Sequence, residues 1–182
     1  MNDDDLMERT ASGDEGAFRL LVERWERPLF GFLERMLGSR EEAEDMTQEA
    51  FLRVFAEARS YRPEGRFRSW IFRIAGNLAR SRLRRDRVIR WIRLEPLLHD
   101  PPDPRERADG RIERDERRRT VRRALAKLPD RQRQAVLLQR YEDLSYREIA
   151  SAMDTTVPAV ESLLQRATAF LRKELAGASE EQ

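Results

Sequence analysis

Between Phe67 and Arg87 the chain reads FRSWIFRIAGNLARSRLRRDR, with two patterns of one period superimposed on it. Ile71, Ile74, Ala75 and Leu78 recur at the spacing of one helix face, while Arg73, Asn77, Arg80, Arg84 and Arg87 recur by alternating steps of four and three on another. A strand would mix the two sets on both of its faces; a helix keeps them apart. The spacing predicts a helix from Phe67 to about Arg90, with one face in a core and the other presented to an anion. Charge supports the second half of that statement. Residues 61–94 hold 11 basic and 2 acidic side chains, against 8 basic and 15 acidic in residues 1–60. Lys127 and Lys173 are the only lysines, so the basic block is all arginine, the side chain suited to bidentate phosphate and base-edge contacts. It reads as a nucleic-acid footprint beside an acidic surface meant for another partner.

The rest of the chain is also helical in pattern. Ser12-x-x-Glu15, Ser39-x-x-Glu42 and Ser145-x-x-Glu148 match the capping box, and each opens an apolar run at helical spacing. The first run continues through Phe18, Leu21, Val22, Trp25 and Leu29 to Leu37, and Pro28 is predicted to kink or divide it. The second, Glu41 to about Ala58, turns Ala43, Met46, Ala50, Val54 and Ala58 inward and leaves Asp45, Gln48, Glu49 and Leu52 together on another face. By itself such a face reads as a solvated acidic surface, although a leucine set among carboxylates also fits an interface.

From Glu95 to Gly110 the text changes to EPLLHDPPDPRERADG, whose four prolines prevent a continuous helix and predict a linker. Beyond it, Arg111–Lys127 reads as a charged helix stopped at Leu128-Pro129, and Asp130 as the cap of a helix reaching about Glu142. A short helix, Ser145 to Met153, a turn at Asp154-Thr155-Thr156 and a long helix from Val157 burying Val160, Leu164, Ala167 and Leu171 make a helix-turn-helix. The expected fold is all-α: two small helical domains, residues 1–94 and 115–182, joined by a proline-containing linker at 95–114.

Several function classes are excluded or weakened. There is no cysteine, hence no disulfide framework or thiolate metal site, and His99 is the one histidine. Glu41, Glu42, Glu44, Asp45 and Glu49 could be read as a metal-binding carboxylate helix, but a di-iron bundle would need Glu-x-x-His on two helices. No nucleophile, base and orienting group stand out as a set, so no catalytic residue, metal or cofactor is expected. No apolar run approaches the roughly 20 residues of a membrane span. The N-terminus MNDDDLMER is unlike a signal peptide, and a cytoplasmic location without membrane insertion is expected.

Two separate stretches carry a family resemblance. ALAKLPDRQRQAVLLQRYEDLSYREIA and the helix-turn-helix after it resemble region 4 of the small extracytoplasmic-function (ECF) bacterial sigma factors. AEDMTQEAFLRVF resembles sigma region 2.2, and FRSWIFRIAGNLARSRLRR resembles regions 2.3 and 2.4. Together they cover roughly residues 14–93 and 115–175. The resemblance implies a promoter-specificity subunit whose partners are core RNA polymerase (the beta-prime clamp helices and the beta subunit), promoter DNA and an anti-sigma factor. Asp45, Gln48, Glu49 and Leu52 match the surface that binds the clamp helices. Asn77 matches the residue that reads a base extruded from the minus 10 non-template strand, where an amide offers both a donor and an acceptor. Arg66, Phe67, Arg73, Arg80 and Arg84 complete the minus 10 set. Arg147, Pro158, Glu161, Ser162, Gln165 and Arg166 form the minus 35 set. Glu161 and Leu163 depart from the basic residue and arginine common in the family; Glu161 could accept from cytosine N4 and select C. Trp70 is read as core rather than as a stacking platform. The apolar stretch Val88 to Leu98 either caps its helix or docks on the polymerase or an inhibitory partner. The alternative function is a stand-alone helix-turn-helix regulator that binds duplex DNA unaided.

Overall fold

The computed structural model describes residues 1–93 and 112–180, and the regular structure of those residues is helical throughout. In chain order the helices are α1 (Asp3–Ala11), α2 (Glu15–Leu37), α3 (Arg40–Glu57), α4 (Phe67–Arg93), α5 (Ile112–Lys127), α6 (Asp130–Arg140), α7 (Tyr146–Ala152) and α8 (Val157–Glu180), with a 3-10 turn at Ala58–Ser60. Most of the expected linker lies outside the described residues, as does His99. Of the apolar stretch from Val88, the Val88 and Ile89 side chains are described and exposed; the remaining ones lie outside the described residues.

The chain begins one helix earlier than the capping boxes predict. Asn2 accepts from Asp5 N–H while Asp5 accepts from Asn2 N–H, and three acids in the first turn of α1 complement the helix dipole. Ser12 therefore ends α1 rather than opening α2: its N–H donates to Glu8 O and Arg9 O. Gly13 follows at φ +92°, and Asp14 caps α2 by accepting from Ala17 N–H at 3.0 Å. α2 runs undivided through Pro28, because the turns after the proline bury Leu29, Phe32, Leu33 and Met36. Ser39 caps α3 with half a capping box only, since the Glu42 carboxylate goes to Arg82 on α4 at 2.8 Å. Asp130 is not a cap. Pro129 occupies that position without a side-chain bond, and Asp130 turns to Arg87 on α4.

α1 to α4 pack around an edge-to-face aromatic cluster, with Phe72 5.4 Å from Phe32 and 6.0 Å from Trp25. Burying Phe72 alone contributes about 1.5–3 kcal/mol. α5 to α8 enclose Leu125, Leu137, Leu138, Ile149, Val160 and Leu164. The two sets of helices are docked: α7 packs on α4, and α2 contacts α5 and α6, so their buried side chains form one continuous core.

Candidate nucleic-acid and partner interfaces

On α3, Asp45, Gln48 and Leu52 are exposed and Glu49 is half-exposed, held by Arg53 at 3.1 Å. Leu52 is 66% exposed and Phe55, one turn on, 54%, its ring edge-on to Phe18 at 5.1 Å. The face is thus a carboxylate strip with an apolar end. Phe55 escaped sequence reasoning although its i+3 spacing from Leu52 was the available signal. Among the described residues no group of three or more Asp, Glu, His or Cys side chains could hold a metal ion.

On α4, Arg73, Asn77, Arg84 and Arg87 point outward and Arg80 is half-buried, while Ile71, Ile74, Ala75 and Leu78 lie in the core. The predicted two faces are both present. The outer face is not free. Asn77, Arg80, Ser81, Arg84 and Arg87 line a cavity of about 480 Å³ whose far wall is Pro129, Asp130 and Arg131. Arg80 Nη2 donates to Asn77 Oδ1 at 2.5 Å, Arg80 Nη1 donates to Gln134 Oε1 on α6, and Arg87 pairs with Asp130 at 2.6 Å. Burial first, then the neighbouring Arg131 and Arg84, holds the Arg80 guanidinium below its ordinary value, with Asp130 pulling the other way. Arginines converge there on one carboxylate, an arrangement that favours an anion.

Docking relies on close approach. Gln134 is fully buried, and a Cβ on Gly76 would overlap its amide nitrogen and come 3.0 Å from its Cδ. Glycine at Gly76 is what lets α6 reach the α4 backbone. Next to it the buried Arg133 donates to Leu125 O (2.9 Å), Ala126 O (2.6 Å) and Leu128 O (3.2 Å), and across the interface to Met36 O at the end of α2 (2.7 Å). Arg35 lies 4.3 Å over the Tyr141 ring. Gln134 and the docking roles of Asp130 and Arg133 were missed from sequence because Arg80, Arg87 and Met36 lie on the other side of the linker.

Arg66 is exposed in the loop before α4. Phe67 is a correction. It is the first residue of α4 and 2% exposed, packed against Trp25 (5.8 Å), Tyr61 (5.9 Å) and Trp70 (5.8 Å), so it belongs to the core and leaves the minus 10 set. Trp70 joins the same cluster and stays half-buried.

α7, a turn with Asp154 at φ +48°, and α8 form the helix-turn-helix. Ser145 and Glu148 make a full capping box on α7. Burial pushes the Glu148 carboxyl up, but the Ser145 hydroxyl and amide more than offset this and hold it below its ordinary value. Pro158, in the first turn of α8, gives up no helical bond. Arg147, Pro158, Glu161, Ser162, Gln165 and Arg166 are all exposed, with Arg166 folded back on Ser162 at 3.1 Å.

Two family models match the chain: Sigma-70 region 2 over residues 21–88, and Sigma-70, region 4 over residues 118–171. The RNA polymerase sigma-H factor of Pseudomonas aeruginosa is 33% identical over 184 residues, 95% of this chain and 93% of that one. The ECF RNA polymerase sigma factor SigW of Bacillus subtilis is 30% identical over 176 residues, 93% of this chain and 94% of its own. The chain belongs to the ECF family of RNA polymerase sigma factors. This ECF sigma factor is a promoter-directing initiation factor, and the matches favour that over a stand-alone regulator. Its fold is similar to that of CnrH in complex with the cytosolic domain of CnrY, with a TM-score of 0.73, 26% identity, and coverage of 96% of this chain and 97% of that one. No described helix of the sigma factor is long and apolar enough to cross a membrane.

Proposed function

We propose that the sigma factor divides its work among three surfaces. Residues 1–94 bind polymerase and the minus 10 element, and residues 115–182 read the minus 35 duplex. Asp45, Gln48, Glu49 and Leu52 on α3, extended by Phe55, engage the beta-prime clamp helices. Asn77 reads the extruded minus 10 base, while Arg66, Arg73, Arg80 and Arg84 hold the strand backbone. Arg147, Pro158, Glu161, Ser162, Gln165 and Arg166 meet the minus 35 element, where α8 presents its first turns outward. The linker keeps the halves on one polymerase, with the beta subunit beside the second, and the chain acts in the cytoplasm without chemistry of its own. An inhibitory protein partner fits this reading, since CnrH is seen with the cytosolic domain of CnrY.

The observation that carries the reading is α4, whose inner face is core and whose outer face aligns one amide with a row of guanidinium groups. Binding energy, not covalent chemistry, then drives strand opening: a flipped base recovers hydrogen bonds and each neutralised phosphate releases counterions. Because Gln134 and Asp130 of α6 hold Arg80 and Arg87, α4 and α6 part before the strand enters.

Run-off transcription with core polymerase tests the reading. Asn77→Ala is expected to abolish start-site selection while leaving polymerase binding intact. Asp45→Arg with Glu49→Arg is expected to abolish polymerase binding. Wild-type levels of specific transcript from both variants would refute it.

A further inference from the structure

α1 carries a carboxylate whose partners are far away in the chain. Asp4 Oδ1 accepts from the Tyr61 hydroxyl at 2.6 Å, and Asp4 Oδ2 accepts from Gly65 N–H at 2.5 Å. Tyr61 and Gly65 bracket the loop between the 3-10 turn and α4, so both oxygens of one side chain hold the loop at its two ends. α1 is itself fixed: Leu6 and Met7 are fully buried, and Asp3 pairs with Arg24 on α2 at 2.5 Å.

The loop needs such a tie. Its own bonds are local, with Glu64 N–H donating to Arg62 O at 2.9 Å and Tyr61 N–H donating to Glu57 O at 3.0 Å. Gly65 sits at φ +68°, a conformation other residues reach only with strain. The Tyr61 ring packs on Trp70 at 4.8 Å, and with its hydroxyl held by Asp4 the ring has one orientation. Tyr61, Arg62, Arg66, Trp70 and Arg73 line a second cavity, of about 380 Å³. Two of these, Arg66 and Arg73, belong to the proposed minus 10 set. Asp4 does not line that cavity, so it acts on the strand only through the loop.

We propose that Asp4 is a positioning residue: by clamping Tyr61 and Gly65 it fixes the loop that carries Arg66 against α4, and so sets how sharply the sigma factor discriminates minus 10 sequences. The inference rests on the strand-binding role of α4. Position and charge make opposite predictions here. A carboxylate beside a basic loop repels phosphate, so if it acted through charge alone, removing it would tighten strand binding at every sequence equally. A clamp predicts lower discrimination between matched and mismatched minus 10 elements, whatever happens to overall affinity.

The test uses holoenzyme assembled from core polymerase and the full chain, on a promoter selected with the wild-type protein and on single-base substitutions in its minus 10 and minus 35 elements. Abortive initiation gives the ratio of matched to mismatched rates. Losing two hydrogen bonds to a charged acceptor is expected to lower the minus 10 ratio of Asp4→Ala about tenfold, with the minus 35 ratio unchanged. Tyr61→Phe, which keeps the ring, and Asp4→Asn, which keeps the shape, should each fall between wild type and Asp4→Ala. They carry the test if circular dichroism shows Asp4→Ala unfolded. Asn77→Ala is the control for the underlying reading. If it flattens the minus 10 ratio and the Asp4 and Tyr61 variants all stay within about threefold of wild type, the clamp is overturned alone. If Asn77→Ala also leaves the ratio intact, the strand-binding reading falls and takes the clamp with it.

Discussion

Gly76→Ala should open the docked arrangement. In the docked state the new methyl overlaps the Gln134 amide, which is fully buried between α4 and α6 and cannot move away into solvent without leaving Arg80. Losing that bond to a charged donor removes about 1.5–3 kcal/mol from docking, a ten- to 150-fold shift toward the open form. The helix-forming gain of alanine over glycine is present in both states and cancels. Because the chain has no cysteine, Glu23→Cys on α2 and Arg172→Cys on α8, both exposed positions, can carry a dye pair without further changes. Single-molecule energy transfer then reads the docked fraction directly. Gly76→Ala is expected to populate a low-transfer state. If the docked state otherwise dominates, it should also tighten binding of a single-stranded minus 10 oligonucleotide by up to the same factor. A double-mutant cycle isolates the cause. In a Gln134→Ala background the obstruction is gone, so adding Gly76→Ala should shift the docked fraction no further. An unchanged transfer distribution for Gly76→Ala, or an equal effect in both backgrounds, would refute the reasoning.

Three further outcomes follow from single side chains. Glu161→Ala should remove the preference for C at one minus 35 position, read by binding-site selection with holoenzyme; an unchanged consensus rejects the contact. Ser145→Ala breaks the capping box of α7 and should destabilise the chain by about 1 kcal/mol, near 2–4 °C in melting temperature. Burial holds the Glu142 carboxyl above its ordinary value of 4.5, against the pull of Arg35 and Arg68. The folded chain therefore binds that proton more tightly than the unfolded chain, and this group's contribution to stability falls as pH rises through the folded value. Glu142→Gln should accordingly raise the melting temperature at about pH 7.5 and have little effect at about pH 4; a larger gain at the lower pH would contradict the sign.

What the sequence made legible was whatever one helix states about itself. The two stripes of α4 and the outward residues of α8 follow from periodicity, because a side chain's face is decided within a turn or two of it. α1 was invisible for the matching reason: Leu6 and Met7 are too few to make a stripe, and its one signal, Asn2 three residues before Asp5, was read only as polarity. Ser12 and Asp14 both satisfy helix-start chemistry, and Gly13 at positive φ, which only the fold reveals, decided between them. Phe67 went wrong although its helix begins where the spacing predicts, since the rings that bury it, Trp25 and Tyr61, come from elsewhere in the chain.

The docked interface is different in kind. Gly76 looks like a weak point in a helix, and Gln134 like an ordinary polar surface residue. Their meaning appears only when α4 and α6 meet. Beside the apolar packing of α7 on α4, the interface has a polar part, where Gln134, Arg80, Asp130, Arg87 and Arg133 contribute hydrogen bonds and ion pairs. Groups of this type can regain comparable bonds from water or from phosphate when the surfaces part, so the net contribution of this polar part to docking is small compared with the sum of its contacts. In the proposed promoter contact, a strand phosphate at Arg80 takes the place of Gln134. Arg80 is thus shared between the proposed promoter contact and the hydrogen bond that ties α4 to Gln134 of α6.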